Sequence, residues 1–75
     1  MYIIHEYQTN LQDQVAIVTP VQKADWLEAQ SEFYLKCHYA AISEIPKHTV
    51  VLTNNEGVDY MYKVFYHGIE PPADN

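Results

Sequence analysis

Between Thr49 and Thr53, and again between Asp59 and Tyr66, β-branched and aromatic residues recur with a period near two, and Asn54-Asn55-Glu56-Gly57 separates the two runs. This is the pattern of a β-hairpin. Gly57 can take the left-handed conformation that closes a three-residue loop with a bulge, so the loop is predicted at Asn55-Glu56-Gly57. That loop sets Asn54 opposite Val58, Leu52 opposite Tyr60, Val50 opposite Tyr62 and His48 opposite Val64. One face then carries Val50, Leu52, Tyr60, Tyr62, Val64 and Tyr66 and is the expected core side. The other carries Thr49, Val51, Thr53, Met61, Lys63 and Phe65. With a helix on the first face, Val51, Met61 and Phe65 need a partner or a second sheet.

Two further strands are predicted at Tyr2 to Tyr7 and Val15 to Thr19, joined by the polar stretch Gln8 to Asp13. Both faces of each are apolar, and the alternation leaves open whether Ile3 or Ile4 is buried. Thr19-Pro20-Val21-Gln22 has the residues of a helix start: a hydroxyl acceptor, a proline suited to the first turn, and a glutamine three residues on. A helix from about Lys23 to Ile45 follows. Its apolar stripe is Leu27, Tyr34, His38, Ala41, Ile42 and Ile45, opposite Asp25, Glu28, Glu32, Lys36 and Ser43. Pro46 stops it, and Gln30-Ser31 weakens the stripe enough for a bend or break. Trp26 and Phe33, with Ala40 and Cys37, lie about 100° round from the stripe. Either the buried stripe is wide, or this flank is a second contact surface.

The order β-β-α-β-β predicts an α+β fold: a four-stranded, mainly antiparallel sheet with one long helix on one face. Residues 1–75 form a single small domain, with 69–75 a loosely held, proline-containing tail. If strands two and three are neighbours, they run parallel through a crossover. Otherwise the two hairpins meet along other edges.

A chain of 75 residues must use its apolar side chains well, because one this short buries only about 60% of its unfolded surface. At 48% hydrophobic residues it lies far from disordered compositions. The single cysteine, Cys37, excludes an internal disulfide and suits a reducing, cytoplasmic setting. No apolar run is long enough to span a bilayer, and Met1 to Glu6 has no leader character. Ten acidic residues stand against four lysines and no arginine, a net charge of −6. Such a surface repels phosphate backbones, so direct nucleic-acid binding is not expected. It speeds encounter with a basic protein instead.

Motifs for chemistry are missing. With only Gly57 and Gly68 in the chain there is no phosphate-cradling loop and no G-x-S-x-G elbow. Cys37 and His38 are adjacent on a helix and point about 100° apart, which prevents nucleophile–base pairing. The histidines and Cys37 fall on separate elements without metal-site spacing, so no metal and no cofactor are expected. Glu28 and Glu32 read as a solvated face that Lys36 offsets. The chain is not expected to be an enzyme.

Action by contact remains. Seven tyrosines and one tryptophan among ten carboxylates suit a binding surface, although tyrosines also fill cores and edges. The leading expectation is a small acidic inhibitor that occludes a basic, nucleic-acid-binding surface of a target enzyme such as a nuclease. In size and charge the chain is similar in type to phage counter-defence and anti-CRISPR proteins, nuclease-immunity proteins and nucleic-acid mimics. No motif is matched to any of them and no residue is carried over; a phage origin would place the protein in the host cytoplasm. The expected partner contacts are Asp25, Glu28 and Glu32 on the helix and Glu56, Asp59, Tyr60 and Tyr62 on the hairpin. The alternative is a homodimeric structural or adaptor module that self-associates through Val51, Met61 and Phe65 with Trp26 and Phe33.

Overall fold

The computed structural model describes residues 1–69; of the tail expected at 69–75, all but Ile69 lies outside the described residues. The elements are β1 (Tyr2–Thr9), β2 (Val15–Lys23), α1 (Trp26–Ala41), β3 (Lys47–Asn54) and β4 (Asp59–Tyr66). One sheet of order β2-β1-β3-β4 contains all four strands, and every neighbouring pair is antiparallel. The fold is therefore α+β with the order the sequence predicts. Strands β2 and β3 are not neighbours. The hairpins meet along β1 and β3 in an unbroken register from Tyr2 opposite Asn54 to Thr9 opposite Lys47, and α1 carries the chain over β1. Among the described residues no helix is long and apolar enough to cross a membrane.

On the helix side of the two central strands, Ile4, Val50 and Leu52 meet Ala29, Phe33 and Ala40, all essentially fully buried. Ile4 takes the core position, so Ile3 points the other way. Tyr2, Cys37, Met61 and Phe65 pack around this centre.

Met61 and Phe65 are where the sequence reading needs correction. The loop forms as predicted: Gly57 has φ 84°, and Asn54 N–H donates to the Val58 carbonyl at 3.0 Å. The Asn54 side-chain oxygen accepts from the amides of Glu56 and Val58, which fixes the turn locally. Beyond it the ladder slips. Thr53 faces Asp59 but Leu52 faces Met61, leaving Tyr60 as the extra residue of a bulge; Val51 then faces Tyr62 and Val50 faces Lys63. A one-residue slip exchanges the faces of everything beyond it. Tyr62, Val64 and Tyr66, expected in the core, share the uncovered face with Val51, while Met61 and Phe65 turn under the helix. Apolar Met61 and Phe65 bury at no polar cost, whereas tyrosines there would each need a partner for a buried hydroxyl.

The helix start also differs from expectation. Thr19 and Pro20 belong to β2, where they stand together opposite His5 in a second bulge. Proline is tolerated because β2 is an outer strand. Asp25 is the N-cap, its carboxylate accepting from Glu28 N–H at 3.0 Å, and α1 runs unbroken through Gln30 and Ser31 to Ala41. The helix is also rotated. The Trp26, Phe33, Cys37 and Ala40 flank faces the sheet, and Leu27, Tyr34, His38, Ala41 and Ile42 face outward. Small Ala29 and Ala40 let the helix approach closely while Phe33 fills the space between. Both ends fix the rotation: Trp26 lies against Tyr2 and Tyr60, and His67 Nε2 donates to the Ala40 carbonyl at 2.7 Å.

Candidate functional site

The helix start and the β3–β4 tip come together at one end of the molecule. Ring centroids of Tyr2 and Trp26 are 5.4 Å apart, Trp26 and Tyr60 5.6 Å, and Tyr2 and Tyr60 5.8 Å, all edge-on. Asp25 immediately precedes Trp26 and Asp59 immediately precedes Tyr60, with Glu56 in the adjoining turn. The Asn54 side-chain amide donates to the Tyr60 hydroxyl at 3.2 Å and ties the trio to the turn. A groove of about 480 Å³ runs on from this end between Phe33 and Tyr34 of α1 and Asp59 to Lys63 of β4.

Outward from the groove the helix presents an apolar ridge. Leu27, Leu35 and Ile42 are 71%, 46% and 68% exposed, and Tyr34 and Tyr39 are exposed beside them. On the β2 flank, Glu28 and Glu32 line a shallower cleft with Lys23, Leu27 and Leu35. Of the sequence-predicted partner contacts, Asp59 and Tyr60 line the groove and Asp25 caps the helix at the same end, with Glu56 in the adjoining turn. Glu28 and Glu32 stand across the ridge from them, and Tyr62 turns to the uncovered sheet face. Of the expected self-association set, Met61, Phe65 and Phe33 lie between sheet and helix and Trp26 is in the trio. Only Val51 lies on the uncovered face.

That face runs the full width of the sheet and, among the described residues, has no second layer over it. Tyr7 pairs with Ile17 and Thr49, His5 with Val51, Val51 with Tyr62, and Thr49 with Val64. Lys47 and Tyr66 pair at one corner, the ammonium 5.7 Å from the ring centroid. Ile17 and Tyr62, on the two outer strands, are 68% and 67% exposed.

Sequence reasoning missed a buried Glu6–His48 hydrogen bond. Placing Ile4 in the core brings Glu6, two residues on, to the same side, and its carboxylate meets His48 Nδ1 at 2.6 Å and accepts from the Gln8 side chain at 3.0 Å. Nδ1 donates, and His48 Nε2 is buried with no hydrogen-bond partner among the described residues. The signal was present as the alternation Ile4-Glu6 against Val50 and His48. Burial pushes the nearby Cys37 thiol above its ordinary value, Lys63 opposes this, and Glu6 adds a smaller rise. At neutral pH Cys37 is thus a thiol, the unreactive form. His38 is exposed, its ring against Tyr39. Among the described residues no group of three or more His, Cys, Asp or Glu is arranged to hold a metal ion. No known protein family, no curated protein and no solved structure matches the chain.

Proposed function

We propose that this protein acts by contact, as a small acidic antagonist that lays its helix ridge and hairpin tip on a basic, nucleic-acid-binding surface of a target enzyme and occludes it. The observation that carries the reading is the groove that joins Tyr34 of the ridge to Asp59 and Tyr60 of the tip. It makes one surface of two clusters that are far apart in sequence. The surface has the anatomy of a heteromeric interface: exposed aromatic and aliphatic residues at its centre, and Asp25, Glu28, Glu32, Glu56 and Asp59 around them. Carboxylates at a rim act on encounter, since exposed charges are screened over about 8 Å at physiological ionic strength.

The test is association kinetics against purified basic nucleases across a salt series, with nucleic acid as competitor. Glu28→Gln/Glu32→Gln and Glu56→Gln/Asp59→Asn should each lower the on-rate and flatten its salt dependence. If both double variants bind a confirmed target with unaltered on-rate and salt slope, the acidic-antagonist mechanism is wrong.

A further inference from the structure

We infer that the uncovered sheet face is the interface between two copies of this chain, packed sheet on sheet with the helices outward. The inference rests on the sheet and not on the acidic rim. Charge selects the occupant. Among the described residues the carboxylates other than Asp59 lie elsewhere: Glu6 under the helix, Asp13 and Glu56 in the turns, Asp25 at the helix cap, Glu28 and Glu32 on α1, and Glu44 beyond it. Asp59 stands at one corner, opposite Thr53. A basic partner finds nothing to recognise on this face. A second copy of an acidic chain meets least repulsion there, because apposing these faces keeps the two sets of carboxylates apart.

Register makes the face complementary to itself. Sheets pack about 10 Å apart with strands roughly aligned. A two-fold axis parallel to the strands, over the β1–β3 seam, lays β4 of one copy across β2 of the other and keeps each row of residues level. Rows follow from the pairing: Val15-Thr9-Lys47-Tyr66 is one, Ile17-Tyr7-Thr49-Val64 the next. Tyr66 then covers Val15, Val64 covers Ile17 and Tyr7 covers Thr49, with no like charges opposed. In the following row His5 covers Val51. His5 Nε2 is already buried without a partner among the described residues of the single copy, so covering it adds no new desolvation. Size suffices as well: strands of eight or nine residues, four abreast, present a face of about 500 Å² at ordinary rise and spacing. Two copies remove about 1,000 Å² or more from water, where specific interfaces begin.

Sedimentation velocity on the full chain at about 10–100 μM tests this, a range matched to an interface at the small end of the size scale. The expected result is a dimer that Ile17→Lys and Tyr62→Lys each weaken at least tenfold. Both side chains are mostly exposed in the single copy, so far-UV dichroism and melting should hold. Leu35→Lys on the ridge should leave the dimer intact. In a Cys37→Ser background, Ile17→Cys/Val64→Cys should cross-link between copies under mild oxidation. A monomeric native chain overturns the inference. So does a dimer that resists both sheet variants or dissociates with Leu35→Lys.

Discussion

The helix ridge and the uncovered sheet face are both apolar and both exposed, yet they differ in what surrounds them. Carboxylates of α1 border the ridge, with Glu56 in the adjoining turn; among the described residues the charged side chains of the sheet face are Lys47 and Asp59, at its corners, and Asp59 is shared with the hairpin tip. Apolar area alone gives a surface its tendency to be covered. Fringe charge decides by what. On the two proposals, the same net charge would fit one side to a cationic protein and the other to a copy of itself. Between the two lies a thin core, six buried apolar residues among those described, on which both surfaces depend.

The largest expected effect comes from breaking what the two surfaces share. Phe33 is the largest fully buried side chain, held between Ala29 and Ala40 over Ile4, Val50 and Leu52. Phe33→Ala should cost about 3–5 kcal/mol, enough to abolish the cooperative melting transition and, with it, both proposed associations. Retained dimerisation with lost partner binding would mean that the sheet stands without the helix. Glu6→Ala comes next, since it leaves His48 buried with both ring nitrogens unpaired; a loss of about 2–3 kcal/mol is expected in urea unfolding. Glu6→Leu/His48→Leu should recover much of it, because replacing both partners removes the orphaned groups. Failure of the double variant to exceed Glu6→Ala would show that the pair does more than satisfy itself.

What could be read from the sequence was local. The Asn54-to-Gly57 turn and the strand–helix order follow from residues that dictate their own backbone, whereas the helix expected to run to Ile45 and stop at Pro46 already ends at Ala41, with Ile42 as its C-cap. The bulge at Tyr60 is not local. Nothing near Tyr60 demands an extra residue; the demand comes from the helix, under which Met61 and Phe65 bury more cheaply than three phenols. Helix rotation failed for the same reason, because Leu27, Tyr34 and Ile42 outweigh Ala29 and Ala40 on any apolarity count. Close approach to a sheet rewards small residues, and that reward is visible only with the sheet in place. These two errors exchanged the predicted faces of β4 and turned α1 by about 100°, so both candidate surfaces differ in membership from the sequence reading.

Two smaller effects separate the surfaces. Gly57 has φ 84° with open space around it, so Gly57→Val meets no clash and strains only the backbone, at about 1–2 kcal/mol. Displacing Glu56 and Asp59, it should slow partner association and leave the sheet-mediated dimer unchanged at 20 °C; equal losses in both would show that the tip supports the sheet face too. Asp25→Ala removes the helix cap and should lower stability by about 1 kcal/mol in denaturant titration. Asp25→Asn keeps an acceptor, so it should retain most of that stability while still lowering the on-rate. A variant that loses neither would take Asp25 out of the rim.

The smallest effect distinguishes the inner side of the helix from the outer through Cys37. Its thiol is raised above the ordinary 9.0, chiefly by burial, so the folded chain holds that proton more tightly than the unfolded chain. Stability from this group is complete below the unfolded value and falls as pH rises past it toward the folded value, because there the unfolded state binds fewer protons. Cys37→Ala should remove this contribution, so the fall in melting temperature above about pH 9 should be shallower than in the native chain. Alkylation reports the same geometry at fixed pH. Iodoacetamide should modify Cys37 in the folded protein more slowly than an introduced Leu35→Cys in a Cys37→Ser background, since Leu35 points outward from the ridge. Equal rates would mean that the helix turns freely on the sheet, and the ridge would then have no fixed membership to bind with.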